Sequence, residues 1–196
     1  MVRGLFLVLI AVLTASACAS QQDKIDVASQ IVKTDDQFLP YREYTSGALR
    51  SSTANGLDGS ILVARIDRKT GALSTAVQYV SVYTHDGKYN YQSARNSRAE
   101  QLKLSVISRR SGHCSRKDGT CTHDEVLHID IPEDALRQAP AEGYQVKLFA
   151  RLGPDALITI PKQMIVSLFA KIDADRGVAA PAAQPSSAKP IASAAH

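Results

Sequence analysis

The stretch SILVARIDRKTGALSTAVQYVSVYT, Ser60–Thr84, decides the fold. Ser60 to Asp67 and Ala72 to Thr84 read as two strands on either side of Arg68-Lys69-Thr70-Gly71. That connection is turn-like, with Gly71 free to take a positive φ. Beyond it, His85-Asp86-Gly87-Lys88 carries an Asp-Gly pair, a strong hairpin signal, and Tyr89 and Tyr91 alternate after it. The spacing thus predicts a second hairpin, with Tyr79, Tyr83, Tyr89 and Tyr91 facing one another across it. Cross-strand aromatic pairs of this kind stabilise a sheet, and a sugar-stacking platform is the functional alternative.

The same two-residue period continues outward from this stretch. Leu102, Leu104 and Val106 alternate with Lys103 and Ser105, which predicts one half-buried strand. Leu127, Ile129 and Ile131 alternate with Val126, His128 and Asp130, and this places His128 on the polar face. Val146, Leu148, Ala150 and Leu152 form a further strand, and Ile158 and Ile160 a short one. Short strands separated by turns point to a mainly β protein, an antiparallel sandwich or open barrel, with one or two short helices and an α+β alternative. Pro132 to Arg137 reads as a helix, with Pro and acids in its first turn and a base in its last. Pro161 to Asp173 puts Met164, Ile165, Leu168, Phe169 and Ile172 on one helical stripe. Alternation of Met164, Val166, Leu168, Ala170 and Ile172 leaves a strand open there. Lys24 to Gln37 is ambiguous, with Ile25, Ala28, Ile31 and Val32 near helical spacing.

The two ends differ from this middle. Residues 1–17 hold Arg3, an apolar run from Leu5 to Leu13 and then small residues before Cys18. The run is far shorter than the roughly 20 residues a helix needs to cross a bilayer, so it reads as an export signal. Both Ala15-Ser16-Ala17 and Ala17-Cys18-Ala19 fit an ordinary signal-peptidase site. The segment Ala15-Ser16-Ala17-Cys18 also resembles the lipobox of bacterial lipoproteins, departing from it at Ala15, where that family usually has Leu. The resemblance covers the leader alone. It implies that Cys18 becomes the mature N-terminus and carries acyl chains, and that the protein is held in the cell envelope, facing the periplasm, with the outer membrane favoured over the inner. Residues 18–36 then form a lipidated lead-in and 37–176 the β-rich domain. Residues 177–196 are an Ala/Pro/Ser tail without the apolar side chains to offset the entropy of ordering.

Export also frames the chemistry of the remaining residues. The chain has three Cys, and an oxidising compartment allows Cys114 and Cys121 to close a hairpin loop as a disulfide. Arg109, Arg110, Arg116 and Lys117 concentrate charge on that loop, with Arg95 and Arg98 in the preceding connection. Arginine forks suit phosphate or carboxylate, so the four basic residues are candidates for binding a partner or an anionic envelope component. The side chains of His113, Cys114, Cys121 and His123 are zinc or copper ligand types, but their spacing matches no common framework, and a disulfide removes both thiolates. The net charge is +4, or +3 without Arg3, too weak for a nucleic-acid partner. The chain lacks a Gly-x-Ser-x-Gly elbow, a His-Glu-x-x-His and a phosphate-binding glycine loop. The resulting expectation is a membrane-anchored, non-enzymatic binding module without cofactor or metal. The alternatives are a soluble periplasmic protein that binds an anionic envelope component through the basic hairpin, and a metal-binding module or hydrolase of unrecognisable motif.

Overall fold

The computed structural model describes residues 26–177; Cys18, the leader and the tail beyond Gly177 lie outside them. The strands are β1 (Ile31–Thr34), β2 (Tyr41–Ser46), β3 (Leu49–Thr53), β4 (Gly56–Asp67), β5 (Leu73–His85), β6 (Tyr91–Asn96), β7 (Gln101–Leu102), β8 (Leu104–Cys114), β9 (Cys121–Ile131), β10 (Tyr144–Ala150) and β11 (Ala156–Ile160). The helices are α1 (Glu133–Arg137) and α2 (Lys162–Asp175), with a further helical turn at 26–28. The fold is mainly antiparallel β in two sheets, as the alternation predicts. A seven-stranded sheet runs β1-β2-β4-β5-β9-β8, with β3 also on β4, and a four-stranded sheet runs β11-β10-β6-β7.

β4 and β5 form the predicted hairpin, paired from Ile66↔Leu73 out to Gly56↔Tyr83. Gly71 takes φ +72° in its turn, and the Asp67 carboxylate accepts from the backbone N–H groups of Lys69 and Thr70 at 2.9 and 2.7 Å. β2 and β3 share the other side of β4, β2 along residues 63–67 and β3 along residues 56–60. The pattern places Leu62, Ala64, Val77, Leu127 and Ile129 on the inner face of the large sheet. They pack with Ala94, Val146, Leu148, Ile158 and Ile160 of the small sheet in one core cluster.

α2 settles the ambiguity between helix and strand. Met164, Ile165, Leu168, Phe169 and Ile172 are all buried, whereas Val166, which alternation would bury, is 54% exposed. Each buried side chain contributes roughly 1.5–3 kcal/mol of transfer free energy. Propensity differences between ordinary residues are under about 0.7 kcal/mol each, so burial decides. The helix ends in Asp173 and Asp175, where the helix dipole disfavours negative charge. Both are paired: Asp173 with Arg137 at 3.0 Å, and Asp175 with Lys33 at 3.2 Å. The Tyr44 hydroxyl also donates to Asp175 at 3.1 Å, which ties the helix end to β1 and β2.

Three sequence expectations need correction. Asp86-Gly87 does not close a hairpin, because β6 pairs with β10 and β7 in the small sheet while β5 pairs with β4 and β9. The chain changes sheets there, and the positive φ falls on Asn90 at +56°. The strand expected through Leu102, Leu104 and Val106 is broken at Lys103. Leu102 belongs to β7 in the small sheet and Leu104 to β8 in the large one. Finally, β1 lies in the 18–36 lead-in and pairs with β2 from Ile31↔Ser46 to Thr34↔Glu43, so the folded unit starts earlier than residue 37.

Candidate functional site

The basic hairpin is built by β8 and β9 and closed by the Cys114–Cys121 disulfide, whose Cα atoms stand 4.0 Å apart. In the chain-entropy model a loop of this size contributes about 2.5 kcal/mol. The four basic candidates do not act together. Arg109 faces inward: its Nε donates to Glu125 at 2.7 Å, and another guanidinium N–H donates to the Tyr91 carbonyl. Arg110 pairs with Asp124 at 2.9 Å. Arg116 and Lys117 lie in the turn beyond the disulfide, exposed and without a carboxylate partner among the described residues. Arg95 sits on β6 against the Phe149 ring, its guanidinium carbon 5.5 Å from the centroid. The sulfurs of Cys114 and Cys121 are bonded to each other, and the His123 Nδ1 lies 3.0 Å from the Ser111 hydroxyl. Among the described residues no three His, Cys, Asp or Glu side chains converge as a metal site.

Sequence reasoning missed Glu125. Its side chain is fully buried, and besides Arg109 it accepts from the Tyr83 hydroxyl at 2.6 Å and the Asn90 N–H at 2.8 Å. The Tyr83 hydroxyl in turn accepts from the Tyr89 N–H at 2.7 Å. The network pins the corner where the chain changes sheets, which accounts for a non-glycine residue holding positive φ at Asn90. The Tyr83 and Tyr89 rings stack at 3.7 Å, and Tyr91 meets Tyr79 and Tyr89 edge-on at 6.0 and 6.1 Å. These tyrosines are buried between the sheets and are not a cross-strand ladder, nor do their faces form an open sugar platform. Burial raises the hydroxyl pKa values of Tyr79 and Tyr83 and pushes Tyr91 up to about 12. Gly153 follows from this packing. It has φ +79°, and a Cβ there would stand 2.4 Å from the Tyr89 ring.

The tyrosine corner forms part of the floor of a cleft between the sheets, on the side where β3 and β11 are the outermost strands. One compartment, of about 380 Å³, is lined by Leu49, Arg50, Asp58, Tyr79, Glu142 and Leu157 among others. The next, of about 420 Å³, is lined by Asp58, Ser81, Tyr89, Tyr91, Asp155 and Leu157 among others. Asp58 and Leu157 belong to both, so the compartments adjoin. The Ser81 hydroxyl donates to Asp58 at 2.6 Å. Tyr79 is 3% exposed, and its buried hydroxyl lies beside Asp58, Ser81 and Tyr91. The Ala150 N–H and Lys147 hold the Asp155 carboxyl below the usual carboxylate range. No histidine lines either compartment.

Compared with family models, with curated proteins and with solved structures, the chain matches none. The site therefore rests on its own geometry.

Proposed function

We propose that this chain is exported and anchored to a membrane of the cell envelope through lipid on Cys18, and that its β-rich domain faces the periplasm and works by binding, not catalysis. The Arg3, Leu5–Leu13 and Ala15–Cys18 pattern supports export and anchoring, and the Cys114–Cys121 disulfide suits an oxidising compartment. The observation that carries the binding reading is the cleft between β3 and β11, with the carboxylate of Asp58 at its floor beside the buried Tyr79 hydroxyl. Its polar groups suit recognition: the Ser81 hydroxyl is given to Asp58, and the lining lacks a histidine to act as base.

Two measurements test this. Cys18→Ser is expected to abolish labelling by a palmitate analogue and to release the domain from membranes; unchanged labelling and fractionation overturn the anchor. A photo-crosslinking phenylalanine analogue placed at Leu157, in the cleft, is expected to give discrete adducts in cells, while the same probe at Arg116, on the hairpin tip, gives none. A second reading keeps the tip as the site for an anionic envelope component, on the exposed and unpaired charges of Arg116 and Lys117. Adducts at 116 without adducts at 157 favour that reading and overturn the cleft. No adducts at either position overturn both.

A further inference from the structure

The sheet edges of this protein are not treated alike. An exposed edge strand is a template for pairing, and proteins blunt edges with shortness, charge, proline or bulges. β1 has four residues and carries Lys33, and β7 has two residues. β8 carries Arg109 and Arg110 and is irregular in register at Val106/Ser108 and Ser111/Cys114. β11, Ala-Leu-Ile-Thr-Ile, carries no charge, proline or register shift within its five residues. Its pairing with β10 is regular from Tyr144↔Ile160 to Leu148↔Ala156. Its other edge makes no backbone hydrogen bond among the described residues, and Leu157 is 64% exposed. That bare edge lies in the cleft, opposite β3.

What recognises a row of unpaired N–H and C=O groups at strand spacing is another extended backbone. The cleft also selects side chains. Its Asp58 end has the Asp58 carboxylate, with Asp155 held by Lys147 at 3.2 Å, while its other end offers Leu49 and Ile158 between Arg50 and Glu142. Residues i and i+2 of an added strand point to the same face, about 7 Å apart, which suits two adjoining compartments. A second copy of the chain pairing through the same edge fits less well, because its β11 brings no charge to Asp58.

We propose that the cleft takes an extended segment of a partner protein, added as a strand on the free edge of β11, with a basic side chain set toward Asp58 and an apolar one two residues away toward Leu49. This rests on the cleft being the binding surface, as argued above.

The test uses the purified full chain in detergent and a fluorescein-labelled peptide, Thr-Val-Thr-Lys-Thr-Val-Thr, read by anisotropy. The controls replace its Lys by Glu, or methylate alternate backbone nitrogens. The Lys peptide is expected to bind at least about tenfold more tightly than the Glu peptide, with methylation abolishing binding. Leu157→Lys, at an exposed position, is expected to weaken binding by at least about tenfold with unchanged circular dichroism and melting temperature. Asp58→Asn, whose side-chain carbonyl still accepts from Ser81, is expected to erase the preference for Lys over Glu. No binding up to about 1 mM, equal affinity for the Lys and Glu peptides, or indifference to Leu157→Lys overturns the proposal. So does dimerisation that Leu157→Lys abolishes while the peptides fail to bind. If the crosslinker at 157 gives adducts and the peptides do not bind, strand addition falls and the cleft stands; if both fail, the cleft falls with it.

Discussion

Arg109→Met is the most informative single perturbation of this fold. The substitution keeps much of the aliphatic bulk and removes the guanidinium, leaving the fully buried Glu125 carboxylate with only the Tyr83 hydroxyl and the Asn90 N–H. Removing one partner of a buried ion pair costs about 3–5 kcal/mol, because the remaining charge keeps its desolvation penalty and loses its compensation. The Arg109 side chain is 25% exposed and two donors to Glu125 survive, so the lower end applies, about 3 kcal/mol. With a urea dependence of about 2 kcal/mol per molar, the unfolding midpoint falls by about 1.5 M. A domain of ordinary stability, about 5–15 kcal/mol, survives this. The assay is equilibrium unfolding with the disulfide intact. The chain has no Trp, so the near-ultraviolet dichroism of the stacked Tyr83–Tyr89 pair reports on the network itself. Adding Glu125→Gln should recover part of the loss, since the amide oxygen still accepts from Tyr83 and Asn90 and no charge is left buried. A coupling of about 1–3 kcal/mol is expected between the two sites. A midpoint shift below about 0.5 M for Arg109→Met, or a double variant weaker than the single, would refute the reasoning. The consequence reaches the cleft, because Tyr89 and Tyr91, which the network pins, line it.

Two further outcomes follow from the same corner. Gly153→Ala combines φ +79° with a Cβ at 2.4 Å from the Tyr89 ring, whereas Gly71→Ala has φ +72° and open space. Left-handed strain alone costs roughly 1–2 kcal/mol, so Gly71→Ala should lose about that in urea unfolding and Gly153→Ala clearly more; equal losses would mean that Tyr89 yields freely. At alkaline pH, burial favours the neutral phenols of Tyr79, Tyr83 and Tyr91 in the folded state. Their contribution is complete below the unfolded value of about 10 and is lost as pH rises toward the folded values, about 12 for Tyr91. The urea midpoint should fall steadily above about pH 10, with a shallower fall in Tyr91→Phe; a flat profile in the wild-type chain would contradict the burial argument.

Period-two alternation made β4, β5, β9, β10 and β11 legible because each keeps one face in the core, and the α2 stripe was legible because its apolar residues fill an arc. Where an element changes sheets, the same signal misleads. Leu102, Leu104 and Val106 keep perfect phase through Lys103 although the chain crosses from one sheet to the other there, since both sheets face one core. Asp86-Gly87 suits a tight reversal, and nothing local separates a reversal into a hairpin from a turn into the opposite sheet. That choice is made at a distance, by Glu125 and Arg109 holding the Asn90 N–H and the Tyr91 carbonyl.

Glu125 itself had a signal. It sits in phase with Leu127, Ile129 and Ile131, so a carboxylate on the buried face called for a cation nearby. Counting back from the Cys114–Cys121 pair places Arg110 opposite Glu125, and the irregularity between Ser111 and Cys114 shifts the partner to Arg109. The loop that reads as a basic patch is therefore divided by one residue of register. On the core side of the disulfide Arg109 is spent inside the fold and Arg110 on a surface pair with Asp124, and beyond it Arg116 and Lys117 have no carboxylate partner among the described residues. The cleft has the opposite history. Its Ser81 and Tyr79 come from a strand whose core face was legible and Asp58 from just before the strand read from Ser60, but the space between β3 and β11 depends on neither edge having found a partner. A pattern within one strand records which face is buried; which edge is left bare depends on how all the strands are ordered.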